Sequence, residues 1–391
     1  MFGSLQNRKG TKLPEKFNFG HELSFLLHDI MTSLFETAKQ TNMFSVNIDI
    51  YEDEYKKFLE KSEDIGEWIV NTKEKNKSAK VLKTIVFPAL LSDMLHCFYE
   101  ALETSRKGKL TISYMLIRKP LQESLYLLED IVLSELNFSD KFKKNAESSK
   151  LEPSEYKKNL KHLEFSSAGG KEGHAKRIEK IFEIMSSNFG LSPEYIAQLR
   201  YDKSSEDSFD IICNKAMHLF TTHEKIFTEP LNINMIFSGY SQFETQWAYL
   251  YSRLPYLLFY TWIIVEYLTN SIIETSQEYL DDIRRRISAL IILWWNEIDI
   301  FYKNEELEKF VKFQEEWLNN HCLKNGYKIP TKNNLIKMFK NGSFPNESKN
   351  SIKQRLNRYQ DIYKINLLDA KYYEKDVNFK IIDNNKAQKI D

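Results

Sequence analysis

The stretch Leu254–Ile273, LPYLLFYTWIIVEYLTNSII, decides how this chain folds. Its apolar density approaches that of a bilayer-spanning helix, but Pro255 stands near its start and Glu266, Thr269 and Asn270 interrupt its second half. A lone carboxylate in hydrocarbon is expensive. A helix that is apolar on every side and does not lie in lipid belongs at the centre of a helical body. The expectation is therefore a buried core helix, with membrane attachment through this segment as the competing reading.

Around it, residues Phe243 to Ile273, Gln277 to Tyr302 and Glu305 to Leu323 read as three consecutive apolar helices. They carry Trp247, Trp262, Trp294, Trp295 and Trp317, five of the six tryptophans, and so are expected to hold the densest packing. The same aromatic richness leaves open that some of these rings cover an oligomer interface.

The 391 residues exceed the length at which a single core usually keeps growing. Hydrophobic residues at 42% are enough to build a core, while only 12 glycines and 9 prolines leave few chain breakers. These numbers point to an all-α chain: a multi-helix bundle-like body with a small, mostly helical basic C-terminal module. Cys97, Cys213 and Cys322 are odd in number and far apart, which excludes a disulfide framework and a cysteine-rich zinc site. A reducing compartment, the cytoplasm, is expected; residues 1–17 are polar and basic, with no apolar segment of a secretory signal.

Along the body, an amphipathic helix is expected over His21 to Gln40, a short strand at Phe44, Val46, Ile48 and Ile50, and a charged surface helix from Tyr51 to Lys75. Pro88 is expected to open a helix running to Ser105. A second helix, Leu110 to about Leu136, should be interrupted or kinked at Pro120 and pair with the first as an antiparallel hairpin. A glycine-rich loop, Ser166 to Gly173, precedes helices over His174 to Phe189, from Pro193, and over Ser208 to His223.

From Lys324 onward the composition changes: 15 Lys plus Arg stand against 7 Asp plus Glu, a net of +8 that leaves the preceding residues at −8. This asymmetry sets a boundary, giving 1–241 as an N-terminal helical region, 242–323 as the Trp-rich core region and 324–391 as a basic module with a disordered end, Asn384 to Asp391. Within the module, Asn333 to Lys340 and Ser348 to Tyr363 read as helices joined by a tight turn. That order matches helix-turn-helix geometry, with Lys349, Lys353, Arg355 and Arg358 as the candidate nucleic-acid contacts.

Other constellations yield to simpler readings. Asp93, His96 and Glu100 share a helical stripe, but no second Glu-x-x-His or Asp-x-x-His exists to complete a di-metal site, so they read as a solvated face. His21-Glu22 begins like a zincin helix, but Phe25 stands where the second histidine is required. Lys171 in the glycine loop lacks the Walker spacing and a preceding strand, so a surface loop is expected there. Cys213, His218 and His223 follow one another at intervals of five residues, which on a helix puts successive members on different faces. Arg118-Lys119 before Pro120 is expected to ion-pair with Glu123 and Glu129. No metal and no cofactor is implied.

In style, the lysine-rich helical body resembles bacterial HEPN-type helical domains, many of which are RNases of defence or toxin systems. Their signature is an arginine followed about a turn later by a histidine. Neither Arg118, Arg177, Arg200 nor Arg253 is followed by one. The resemblance covers no specific motif and assigns no family. The leading expectation is a non-enzymatic cytoplasmic helical protein that binds a protein or nucleic-acid partner through its basic module. The rival is an RNase-type hydrolase drawing on His218 and His223 with Arg118 or Arg200.

Overall fold

The computed structural model describes residues 9–41, 43–60, 75–148, 169–216, 240–272, 275–355, 357 and 377–382. In chain order the elements are α1 (Asn18–Gln40), β1 (Val46–Tyr51), α2 (Glu52–Glu60), α3 (Lys75–Arg106), α4 (Leu110–Lys119), α5 (Leu125–Leu133) and α6 (Glu135–Ser148). They continue with α7 (Gly170–Ile184), α8 (Pro193–Tyr201), α9 (Phe209–Ala216), α10 (Tyr240–Asn270), α11 (Gln277–Glu297), α12 (Glu305–Lys324) and α13 (Lys332–Asn341). A helical segment α14 (349–355) and the strand β2 (Val377–Ile382) complete the described chain. The fold is an all-α multi-helix body with one small strand pair.

The deciding stretch lies in α10, where every residue from Tyr249 to Val265 is buried. Helix α1 packs along it, with α4, α5 and the residues before α1 also in contact. Glycine permits the close approach of α1: a Cβ on Gly20 would come within 2.8 Å of the Tyr251 Cβ. Two buried indoles are satisfied by backbone across helices, Trp247 Nε1 donating to Ser105 O at 2.9 Å and Trp294 Nε1 to Tyr251 O at 2.6 Å. Trp262 is also buried, whereas Trp295 and Trp317 are partly covered. Among the described residues, the helix long and apolar enough to cross a membrane by length and composition is α3, not the deciding stretch.

Several expectations are corrected. Pro88 does not open a helix; it lies inside α3, which already runs from Lys75. The expected interruption at Pro120 is present and is a π-turn, Pro120–Ser124, linking α4 to α5. A π-turn absorbs the missing N–H and the ring clash that a regular turn cannot. The lead before α1 is not loose from residue 9 onward: Lys12 N donates to Arg106 O at 2.9 Å, and Leu13 and Phe17 are buried. The expected α3–α4 hairpin is present across Lys107 and Gly108, with Ser113 Oγ donating to Ala101 O at 2.7 Å.

The anticipated strand at Val46 exists, and its partner comes from the far end of the chain. β1 and β2 run parallel, with Val46 opposite Val377 and Tyr51 opposite Ile382. The end Asn384–Asp391 lies outside the described residues.

Candidate nucleic-acid interface

The basic segment begins where α12 ends at Lys324. Thr331 opens α13 with a capping box, its hydroxyl accepting from Asn334 N while the Asn334 side chain accepts from Thr331 N. This arrangement satisfies two backbone donors at the helix start. Leu335 and Met338 place one face of α13 in the body's core. The opposite end is tied to α11: Arg286 Nε donates to Phe339 O at 3.1 Å and Arg285 Nε to Gly342 O at 3.1 Å.

Aromatic rings continue the seam. Trp317 stacks on His321 at 4.9 Å, His321 on Phe344 at 5.7 Å, and Phe344 on Tyr327 at 4.3 Å, all nearly parallel. Arg285 lies over the Phe344 ring at 4.2 Å. Burial and the Arg285 guanidinium lower the His321 pKa, and since an arginine only donates, His321 Nε2 accepts from Arg285 Nη1 at 3.0 Å.

Arg355, one of the four expected nucleic-acid contacts, turns inward. Its guanidinium meets Asp282 of α11 at 2.5 Å and Glu347 at 3.1 Å. Burial raises the Asp282 pKa against the pull of Arg285 and Arg355, whereas at Glu347 burial is outweighed by the hydrogen bonds from Arg355, Phe344 N and Ser351 together, which lower the pKa. Arg355 therefore fastens the segment to the body. Lys349 and Lys353 are exposed on α14 and have no carboxylate within ion-pair distance among the described residues. Arg358 lies outside the described residues.

Sequence reading singled out four cations, but the exposed set is larger. Lys324, Lys328, Lys332, Lys337, Lys340, Lys349 and Lys353 are all exposed and make no ion pair among the described residues. Over 324–355 the sole acidic residue is Glu347, and Arg355 occupies it. Lys337 and Lys340 share one stripe of α13, and Lys349 and Lys353 share one stripe of α14. Like charges at such spacing cost about 0.2–0.5 kcal/mol per pair.

The expected catalytic candidates do not converge. Arg118 ends α4 beside Asp210 at 3.7 Å and Glu123 at 3.9 Å; its expected partner Glu129 belongs elsewhere. His218 and His223 lie outside the described residues. Cys213 is buried, and burial together with Asp210 pushes its thiol well above the ordinary value, so it carries no thiolate near neutral pH. Asp93, His96 and Glu100 lie on the outer side of α3, with Asp93 held by Lys119 at 2.7 Å. His21 is buried with its Nδ1 at 2.7 Å from the Tyr251 hydroxyl. Lys171 is held by Asp202 at 3.1 Å. Among the described residues, no group of three His, Cys, Asp or Glu side chains is placed to hold a metal ion.

One buried ionic cluster was missed. Glu129 of α5 accepts from Arg200 Nη1, from the Tyr260 hydroxyl at 2.7 Å and from Arg177 Nε at 3.4 Å, while Arg177 also reaches Asp130 at 2.5 Å. Burial pushes the Glu129 carboxyl up, but Arg200 and Arg177 outweigh it and hold the pKa below its ordinary value. With each charge compensated and Arg200 fully enclosed, the cluster locks α5, α7, α8 and α10 together. Sequence spacing alone carries no signal for such long-range pairs.

No family model matches the chain, and no similar protein is found among curated proteins or solved structures.

Proposed function

We propose that this chain is a non-enzymatic, cytoplasmic helical protein that binds a nucleic-acid partner through the basic face of residues 324–355. One observation carries the reading: seven exposed lysines that make no ion pair among the described residues, on a segment fastened to the body. Adjacent like charges weaken folding slightly, and phosphates would offset that cost on binding. The lysines contact phosphate; no side chain arrangement on this face reads base edges, so binding is largely sequence-tolerant. Arg355 positions the face and does not itself touch phosphate. Three cysteines without disulfide partners agree with a reducing compartment.

The test is fluorescence anisotropy of the full chain with a labelled duplex and a labelled single strand across a salt series. Binding that weakens steeply with salt is expected, with a log–log slope of about −0.9 per phosphate neutralised on duplex DNA. The quadruple variant Lys337→Glu, Lys340→Glu, Lys349→Glu, Lys353→Glu should bind at least about tenfold more weakly. Absence of binding by the parent chain at low salt, or equal binding by the variant, rejects the proposal.

A further inference from the structure

Where α10 ends, α11 begins and the loop after α7 crosses them, the body forms a half-open cavity of ≈ 220 Å³. Trp262, Ile263, Leu280, Met185 and Phe189 give it apolar walls, and Glu266, Asp281 and Arg284 bring charge to its lining. Glu266 and Arg284 are handled unlike Glu129 and Asp282. Neither oxygen of Glu266 makes a hydrogen bond of ordinary geometry, although both are inaccessible to solvent. Trp262 Nε1 and Arg284 Nε, also lining the cavity, are inaccessible donors in the same condition. Glu266 and Arg284 form no ion pair with each other or with any other described residue. The Arg284 guanidinium stacks on Trp317 at 4.1 Å and approaches Phe189 at 5.6 Å.

Buried polar groups almost always find partners, and a buried charge left alone is costlier still. The fold demonstrates the usual solution at Glu129 and at Asp282, where guanidiniums close directly on the carboxylate. At this cavity a carboxylate and a guanidinium are instead held apart with space between them. Burial pushes the Glu266 carboxyl up to about 7, opposed by the Thr275 hydroxyl and the Trp262 indole, and burial draws Arg284 down to about 10, opposed by Asp281 on the same cavity wall.

We infer that this cavity binds a small zwitterion of the apolar α-amino acid class. Its ammonium group pairs with Glu266, its carboxylate receives Arg284 Nε, and its aliphatic side chain lies against Trp262, Ile263 and Leu280. A simple amine would leave Arg284 without an acceptor, and a simple acid would leave Glu266 without a donor. Size agrees: the space equals roughly seven molecules of liquid water, below the range of pockets for drug-sized ligands and suited to leucine or methionine. This site is independent of the nucleic-acid reading.

Isothermal titration calorimetry of the full chain at mildly alkaline pH tests it, using L-leucine, L-methionine, 3-methylbutylamine and 4-methylpentanoate as probes. Saturable binding of an amino acid is expected, with the amine and the acid each weaker by about tenfold or more. Trp262 fluorescence should change in the same titration. Glu266→Gln, checked for native circular dichroism, should weaken the amino acid by a similar factor. The inference is overturned if neither amino acid binds at tens of millimolar, or if the amine or the acid binds as tightly. Equal affinity of a folded Glu266→Gln chain for the amino acid overturns it as well.

Discussion

Replacing Glu266 by glutamine in the ligand-free protein sets the cavity against folding stability. The carboxyl titrates near 4.5 in the unfolded chain, and burial among Trp262, Ile263 and Leu280 pushes it up to about 7 in the folded one. A raised carboxyl holds its proton more tightly when folded. Its contribution to stability is complete below the unfolded value and disappears as pH climbs through the folded one. Across that window the parent chain loses at most about 3 kcal/mol, less where Thr275 and Trp262 turn to meet the ionised group. Glutamine keeps the shape without the charge. Urea titrations at about pH 5 and about pH 8 should therefore show near-equal stability at the lower pH and a variant more stable by about 1–3 kcal/mol at the higher. Glu297, raised to about 8 by burial at the start of α1, is common to both chains and cancels in the difference. A stability difference that is the same at both pH values, or a variant less stable at the higher pH, refutes the account of an uncompensated buried carboxylate.

Gly342→Ala should loosen the basic segment, because φ there is +67° and a Cβ would lie 2.0 Å from Asp282 Oδ1. About 1–3 kcal/mol of destabilisation is expected, with faster proteolytic cleavage between α12 and α14; parent-like cleavage contradicts the docking. Glu129→Ala leaves Arg200 and Arg177 buried without a counter-charge and should cost about 3–5 kcal/mol by chemical denaturation, whereas a loss under about 1 kcal/mol would mean the cluster contributes little. Leu257→Ala, in the fully buried part of α10, should cost about 2–5 kcal/mol, against under about 0.5 kcal/mol for Ile300→Ala at a position that is 85% exposed. Similar losses at the two positions would contradict the placement of α10 at the centre.

Helix was legible because it is local. The spacing of Leu23, Leu26, Leu27, Ile30 and Leu34 marks α1, and all five are buried. Proline misled at Pro88, where tertiary packing carries α3 through it, but marked the interruption at Pro120, which takes the form of a π-turn. The strand at Val46 was readable from its alternation, but its partner at Val377 was not, because a parallel pair joins segments that nothing local connects. In the basic segment the charge excess was plain, yet the role of Arg355 was not. An arginine on a helix reads alike whether it faces solvent or Asp282.

By itself the sequence determined that the chain is helical, that the stretch from Leu254 is a buried core helix and that positive charge collects after Lys324, since composition and periodicity act over a few turns. Tertiary structure alone decided which charges are spent and which remain. Glu129 and Asp282 meet arginines that lie far along the chain, Glu266 and Arg284 line a cavity without pairing, and seven lysines are left facing solvent among the described residues. Electrostatic pairing depends on distance in space and on burial, and neither quantity is written in the order of the residues.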